Sequence, residues 1–271
     1  MVPWEGIGES MEHGSEGTGV RAVERTVALL LAFTELGTEL GVTELARHLG
    51  LAKSVVHRSL VTLIRTGFLV QDKKTGLYRL GPQALGLGLA ALGQVDLPRL
   101  ALPFMEKLRS ATKETVTLSM LIGDYRVYVA QLESPQDVRM TVELGKRWPL
   151  YAGASGRAIL ANLPQHEIER YLSSVQLAAI TSQTITSSER LMAKLAEVRS
   201  LGYAVSGGER DPWAAAVASA ISAKGRGIVG SISVCGPLPR FTPDRIHEYC
   251  QLVKTSAAAI SAALGASEQT E

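Results

Sequence analysis

One stretch limits what this chain can fold into more than any other: Val42-Thr43-Glu44-Leu45-Ala46-Arg47-His48-Leu49-Gly50-Leu51-Ala52-Lys53-Ser54-Val55-Val56-His57-Arg58. It reads as two short helices joined by a tight glycine turn. Thr43 is expected to cap the first helix, its hydroxyl accepting an orphan backbone N–H. Leu45, Ala46 and Leu49 give that helix one apolar face. Gly50 follows the last periodic residue, where a left-handed C-cap suits glycine. The second helix is expected from about Lys53 to Thr66. Val56, Leu60, Leu63 and Ile64 line one side at about 100° per residue, and Ser54, Arg58 and Arg65 fall roughly opposite. One face for a neighbour and one cationic face for a groove define a helix-turn-helix.

Two amphipathic helices with a glycine turn also occur in many all-α proteins, so the continuation decides. Gly67 to Gln71, Asp72 to Gly76 and Leu77 to Leu80 read as strand, turn and strand. A hairpin directly after the second helix is a wing. Its tip carries Lys73 and Lys74, placed to touch a phosphate backbone.

Charge supports this placement. The whole chain has a formal charge of only +2. Residues 20–85 hold nine Lys/Arg against five Asp/Glu, whereas residues 1–19 hold four Glu and no Lys or Arg. The basic excess therefore sits in the winged-helix segment, as phosphate contact requires.

Residues 1–19, rich in Gly, Glu and Ser, are expected to be a disordered tail. The winged domain is then 20–81, with a support helix from about Val20 to Leu36 whose stripe is Val23, Val27, Leu30, Leu31 and Phe33. Residues 82–94 are expected to form a linker helix rich in small residues, either a coupling element or a packed connector. Residues 95–265 form a second domain, and 266–271 a tail.

The second domain opens with a helix from Leu97 to Thr112. Thr115 to Ile122, a Gly123-Asp124 turn and Tyr125 to Gln131 carry a hairpin signature. Asp137 to Leu144 is expected to be a third strand. A helix starts in Gly153-Ala154-Ser155-Gly156, and others run from Pro164 to Ser173 and from Ser187 to Leu201, the last capped by Ser188. Gly202 to Val205 reads as a strand, and Ala215 to Ser222 with Gly227 to Cys235 as a final hairpin. Thr242-Pro243, a cap followed by proline at the first helical position, starts the C-terminal helix to about Leu264. Strands interleaved with helices make this part α+β with an antiparallel-rich sheet.

Two cysteines, Cys235 and Cys250, form no disulfide framework and have no zinc-like spacing. No apolar run approaches the roughly 18–20 residues that span a bilayer. The start has no basic region followed by an apolar core, so no signal peptide is expected and the location is taken as cytoplasmic. No metal and no cofactor are expected. His48 and His57 lie in the DNA-binding element, and His166 and His247 on predicted surface helices. No Ser/Cys–His–Asp, Walker or Rossmann signature is evident, so the chain reads as no enzyme.

The chain resembles the IclR family of bacterial transcriptional regulators. Three stretches carry the likeness: Leu45 to Arg58, Leu150 to Ala161, and Gly202 to Val205 together with Ile232 to Pro237, within about residues 20–265. The resemblance implies a GAF-like effector domain for a small carboxylate or aromatic metabolite, a homodimer joined through the DNA-binding domains, and pairing of dimers into tetramers. Carried over, the effector pocket consists of Met140, Trp148, Ala154, Ser155, Gly156, Ser206, Glu209, Ala214, Ala216, Ser233 and Cys235. The chain departs from the family's commoner pattern in three places: Ala216 stands where a Cys is frequent, Cys235 where a Ser is, and the acidic residue common near Ser206 is represented only by Glu209.

Gly153 to Gly156 at a helix start exposes backbone N–H groups and a partial positive charge, an anion site in its own right. The same residues serve equally as a capped helix with tight packing. Trp148 and Trp213 favour either an aromatic ligand or plain packing. For double-stranded DNA, Lys53, Ser54, Val55, His57 and Arg58 are expected to face the major groove. Arg58 is the candidate for a bidentate guanine contact. Arg47, Lys73, Lys74 and Arg79 are expected on phosphates. The rival readings are a winged helix that docks protein and a metabolic enzyme with an accessory DNA-like domain.

Overall fold

The computed structural model describes residues 20–93 and 97–265; the expected tails lie outside the described residues. The described residues divide into two compact units, 20–93 and 97–265.

The N-terminal unit contains α1 (Arg21–Glu35), α2 (Val42–Leu49), α3 (Lys53–Arg65), β1 (Leu69–Gln71), β2 (Tyr78–Leu80) and α4 (Pro82–Gly93). Its core is drawn from every element before α4: Leu29, Ala32 and Phe33 of α1, Leu45 and Ala46 of α2, Val56, Leu60 and Leu63 of α3, and Leu69 and Tyr78 of the hairpin. Each fully buried Leu or Val contributes about 1.5–3 kcal/mol relative to exposure, so this small core carries the unit. Gly50 sits at φ 62 at the end of α2, and Leu51 N donates to Ala46 O at 3.0 Å to close the turn. A left-handed residue is needed there, and glycine adopts it without a Cβ penalty. β1 and β2 are antiparallel, Leu69 opposite Leu80. Leu40, in the loop before α2, pairs with Tyr78 and ties that loop to the wing. The start of α4 belongs to the same unit, since Gly81 N donates to Phe68 O and Gln83 N to Gly67 O.

Three local expectations need correction here. The N-cap of α2 is Gly41 and not Thr43, which lies inside the helix, and Gly41 supplies no side-chain cap. Ile64 is 37% exposed, because only Val56, Leu60 and Leu63 of α3 reach the core. On α1 the buried residues are Leu29, Ala32 and Phe33, while Val23 and Val27 are 59% and 48% exposed. The first turns of α1 extend past the small core and have nothing in the unit to pack on.

The C-terminal unit comprises α5 (Leu97–Thr112), β3 (Thr115–Ile122), β4 (Tyr125–Leu132), β5 (Arg147–Pro149), α6 (Ala154–Ala161), α7 (Gln165–Ser174), α8 (Ser188–Leu201), β6 (Ala204–Gly207), β7 (Ala214–Ala223), β8 (Gly227–Pro237) and α9 (Pro243–Ala263). Six strands form one sheet in the order β5-β4-β3-β8-β7-β6, antiparallel at every pairing. Helices α5 and α9 pack together and on the sheet, and α6 packs on β6, β7 and β8 with α8 against it. The chain is α+β, a winged helix-turn-helix followed by an α+β domain.

The alternation of the central strands assigns their two faces. Val116, Leu118, Ile232 and Val234 are fully buried apolar residues. Between them, Thr117, Ser119, Ser231 and Ser233 point the other way: Thr117 Oγ1 meets Ser233 Oγ at 2.6 Å, and Ser231 Oγ donates to Ser155 O of α6. The face toward α6 is therefore lined with small hydroxyls.

The expected strand from Asp137 to Leu144 does not form; the next strand is β5, which pairs with β4 at the sheet edge. Side chains meet the backbone of that segment instead of a ladder. Thr115 Oγ1 donates to Met140 O, Gln131 Oε1 accepts from Val142 N, and Arg240 Nη1 donates to Val138 O. The cap of α8 is Ser187, whose hydroxyl accepts from Arg190 N, and not Ser188. Among the described residues no helix is long and apolar enough to cross a membrane.

Candidate functional site

Burial of Val56, Leu60 and Leu63 fixes which side of α3 looks outward. Lys53, Ser54, His57 and Arg58, spaced i, i+1, i+4 and i+5, are all exposed on that side, while Val55 is half-buried. The N-cap Ala52 offers no side-chain acceptor, and the first turn carries no acidic residue. The start of α3 therefore keeps its partial positive charge open to a phosphate. Arg47, Lys73, Lys74 and Arg79 are likewise exposed. Asp72 shapes the wing tip: its Oδ1 accepts from Lys74 N at 2.7 Å and Thr75 N at 3.2 Å. These backbone bonds, Lys74's first, hold its carboxyl below the usual range, and they leave the two lysine side chains projecting from the turn.

The second site is built around α6, all eight residues of which are buried. Gly156 makes this possible, because a Cβ there would lie 2.5 Å from Leu150 O. Gly153, at φ 81, turns the chain into the helix. The helix start is closed from within. Glu209 Oε2 accepts from Gly153 N at 3.1 Å and pairs with Arg157 Nη1, and Ser206 Oγ accepts from Ala154 N at 3.0 Å. Arg157 is fully buried and also donates to Val205 O at 2.7 Å. The anion that a helix N-terminus attracts is here the chain's own Glu209.

Beside this helix start lies a cavity of about 90 Å³. Met140, Ala154, Ser155, Ser206, Glu209, Ala214, Ala216 and Cys235 line it, eight of the residues expected there. Trp148, Gly156 and Ser233 are not in its lining. Gly156 is covered by Leu150, and Ser233 is turned to Thr117. Trp148 acts one step back, with the Arg210 guanidinium 4.0 Å over its ring. Trp213 is 75% exposed and does not line the cavity, although its backbone N donates to Asp211 Oδ1 in the wall.

Of the polar wall, sequence reasoning named Glu209 and missed Arg126, Tyr128, Arg210 and Asp211. The signal was present. Arg126 and Tyr128 are two apart on β4 and so share a face, and an arginine inside an otherwise apolar hairpin strand calls for an explanation. The Arg126 guanidinium lies 4.6 Å over the Tyr128 ring, and Arg210 Nη1 donates to Tyr128 Oη. Burial, with the like charge of Arg210 adding to it, lowers Arg126 to about 10. Burial pushes the Tyr128 phenol up, but the two guanidinium groups outweigh it and the net shift is downward. Burial drives the Cys235 thiol up to about 12, so it lines the wall as a neutral thiol.

An exposed cationic recognition helix with a wing, joined to an α+β unit holding a small polar cavity, defines a DNA-binding protein with a sensor-type domain. Comparison with known proteins agrees. The family model for the IclR helix-turn-helix domain matches residues 22–73, and that for the bacterial transcriptional regulator IclR C-terminal domain matches residues 89–262. The HTH-type transcriptional regulator KipR of Bacillus subtilis is 36% identical over 245 residues, 90% of this chain and 97% of that one. The solved structure of an IclR transcriptional regulator from Alicyclobacillus acidocaldarius has a TM-score of 0.79 at 30% identity, covering 91% of this chain and all of that one. An IclR homolog from Microbacterium hydrocarbonoxydans, solved with 4-hydroxybenzoate, has a TM-score of 0.73 at 25% identity, covering 91% and 100%. The chain belongs to the IclR family of DNA-binding transcriptional regulators.

Proposed function

We propose that the chain binds operator DNA as a homodimer and changes that binding when a small carboxylate or aromatic acid enters the cavity beside α6. The observation that carries the DNA half is the outward face of α3, where Lys53, Ser54, His57 and Arg58 project together while the opposite face is buried. In this reading α3 enters the major groove, Arg58 makes a bidentate contact to guanine, and Arg47, Lys73, Lys74 and Arg79 meet phosphates. Dimerisation is supported by Val20, Val23 and Val27, which lie on one side of α1's first turns and are 64%, 59% and 48% exposed. A second copy of this stripe is a partner of matching chemistry. The acid half is supported by the two guanidinium groups in the cavity wall and by the 4-hydroxybenzoate in one family structure. A regulator that works on DNA operates in the cytoplasm.

The test is fluorescence anisotropy with duplex DNA from upstream of the chain's own gene, at several salt concentrations, with and without a panel of small acids. Binding is expected to weaken steeply with salt, because each phosphate contact releases counterions, and one class of acid is expected to shift it. Failure to bind this duplex or any genomic fragment at low salt would overturn the reading in favour of a protein-docking winged helix.

A further inference from the structure

Four arginines of the C-terminal unit, Arg126, Arg157, Arg210 and Arg240, are buried or half-buried close to a carboxylate or to the cavity. Two find a counter-charge within the chain. Arg157 has Glu209, and Arg240 holds the buried Glu114 with two bonds of 2.6 and 2.5 Å. Arg126 finds none. It is fully buried, Nη1 has only a long contact of 3.4 Å to Ser119 Oγ, and neither Nε nor Nη2 has a hydrogen-bond partner. The neighbouring Arg210 also leaves its Nε unpartnered. Two carboxylates line the same cavity, but neither bonds Arg126: Glu209 Oε2 is held by Arg157 and Gly153, and Asp211 Oδ1 accepts from Trp213 N. A buried, unpaired cation is expensive in a protein interior, and its N–H groups are donors waiting for an acceptor.

We propose that Arg126 is the anchor for the carboxylate of the cavity's ligand, and that it makes the site choose acids over their neutral analogues. The proposal rests on the reading of the cavity as an effector site. Geometry places the free edge of the guanidinium correctly. Nη2 comes within 3.9 Å of the point where a Cβ on Gly153 would stand, so it faces the loop that enters α6. The plane is held by Tyr128, and Arg210 is held in turn between Tyr128 and Trp148. Glu209 and Ser206 occupy the amides of Gly153 and Ala154 at the start of α6. Ala214, Ala216 and Met140 give the rest of the ligand an apolar wall.

The full-length protein should be titrated with benzoate against benzamide and acetate against acetamide, following Trp fluorescence and calorimetry. Each pair differs in charge and hardly in shape. Wild type is expected to favour each acid over its amide by roughly 10–100-fold, the range of a charge-assisted bidentate bond. Arg126→Met should bring that ratio to near one, and Arg126→Lys should keep part of it. If Arg126→Met fails a circular-dichroism check of folding, the wild-type ratio and the Arg126→Lys variant decide. The proposal is overturned if Arg126→Met keeps the wild-type preference, if amides bind as well as acids, or if chloride displaces benzoate at equal concentration. It also fails if no acid binds wild type, and salt-dependent DNA binding measured on the same sample then shows whether the regulator reading survives.

Discussion

Helices α3 and α6 both begin without a side-chain cap from their own N-cap residue, Ala52 in one and Gly153 in the other. They resolve the resulting positive end in opposite ways. The start of α3 is surrounded by exposed Lys53, Ser54, His57 and Arg58 and has no acidic group in its first turn, so its field extends into solvent. At the start of α6, Ser206 and Glu209 arrive from 52 and 56 residues further along the chain to accept from the first two amides. A surface that must meet a polyanion keeps its cations solvated, where holding them apart is cheap. A buried helix must neutralise its own end, and α6 does so with a carboxylate that is itself paired to Arg157. The difference separates a helix that recognises from a helix that frames.

The comparison breaks most severely at Glu209. Replacing it with Ala leaves the fully buried Arg157 without its carboxylate and Gly153 N without its acceptor. Losing one partner of a buried pair is expected to destabilise by about 3–5 kcal/mol. Urea unfolding followed in the C-terminal unit should show this, and a change under about 1 kcal/mol would mean the pair behaves like a solvated surface pair. Gly156→Ala attacks the same frame sterically: its Cβ would press on Leu150 O, a backbone atom. Overpacking of this kind costs about 1–3 kcal/mol, and unchanged thermal unfolding would show that α6 can shift away from Leu150.

On α3 the effect should be on binding and not on folding. Arg58 is exposed, so Arg58→Ala is expected to leave unfolding unchanged. It should weaken specific DNA by about 1–3 kcal/mol and relax sequence choice at the base it reads. Anisotropy with the operator and with single-base variants measures both. Equal losses on all sequences would turn Arg58 into a phosphate contact.

The two sites were unequally legible for the same reason that they differ physically. The winged helix is contiguous, so periodicity, Gly50 and the Asp72 to Gly76 turn give its elements directly, within a residue or two. Two of the three misreadings there share one cause, a limit on burial: Val23, Val27 and Ile64 have the right spacing but no core beneath them. In the C-terminal unit the order of elements was readable, but Asp137 to Leu144 was not, because Thr115, Gln131 and Arg240 satisfy its backbone from a distance. The small residues of the cavity came from resemblance to the family. Its arginines did not, since Arg126, Tyr128 and Arg210 become one group only when β4 and the loop after β6 are brought together. Pairing across 82 residues, as between Tyr128 and Arg210, leaves no local pattern.

The smallest expected effect sharpens the contrast most. Lys74 projects from the wing tip, and the turn that presents it is held by backbone bonds to Asp72 that do not involve its side chain. Lys74→Ala should therefore leave the wing intact and remove one phosphate contact. Specific and non-specific DNA should weaken alike, by less than Arg58→Ala weakens the operator. The slope of log affinity against log salt should fall by about one. The pair of variants is informative together, because a base contact changes the ratio between sequences and a phosphate contact changes the slope. If Lys74→Ala altered the ratio and left the slope unchanged, the wing would be reading bases in a groove, and the division between a helix that selects and a hairpin that holds would have to be redrawn.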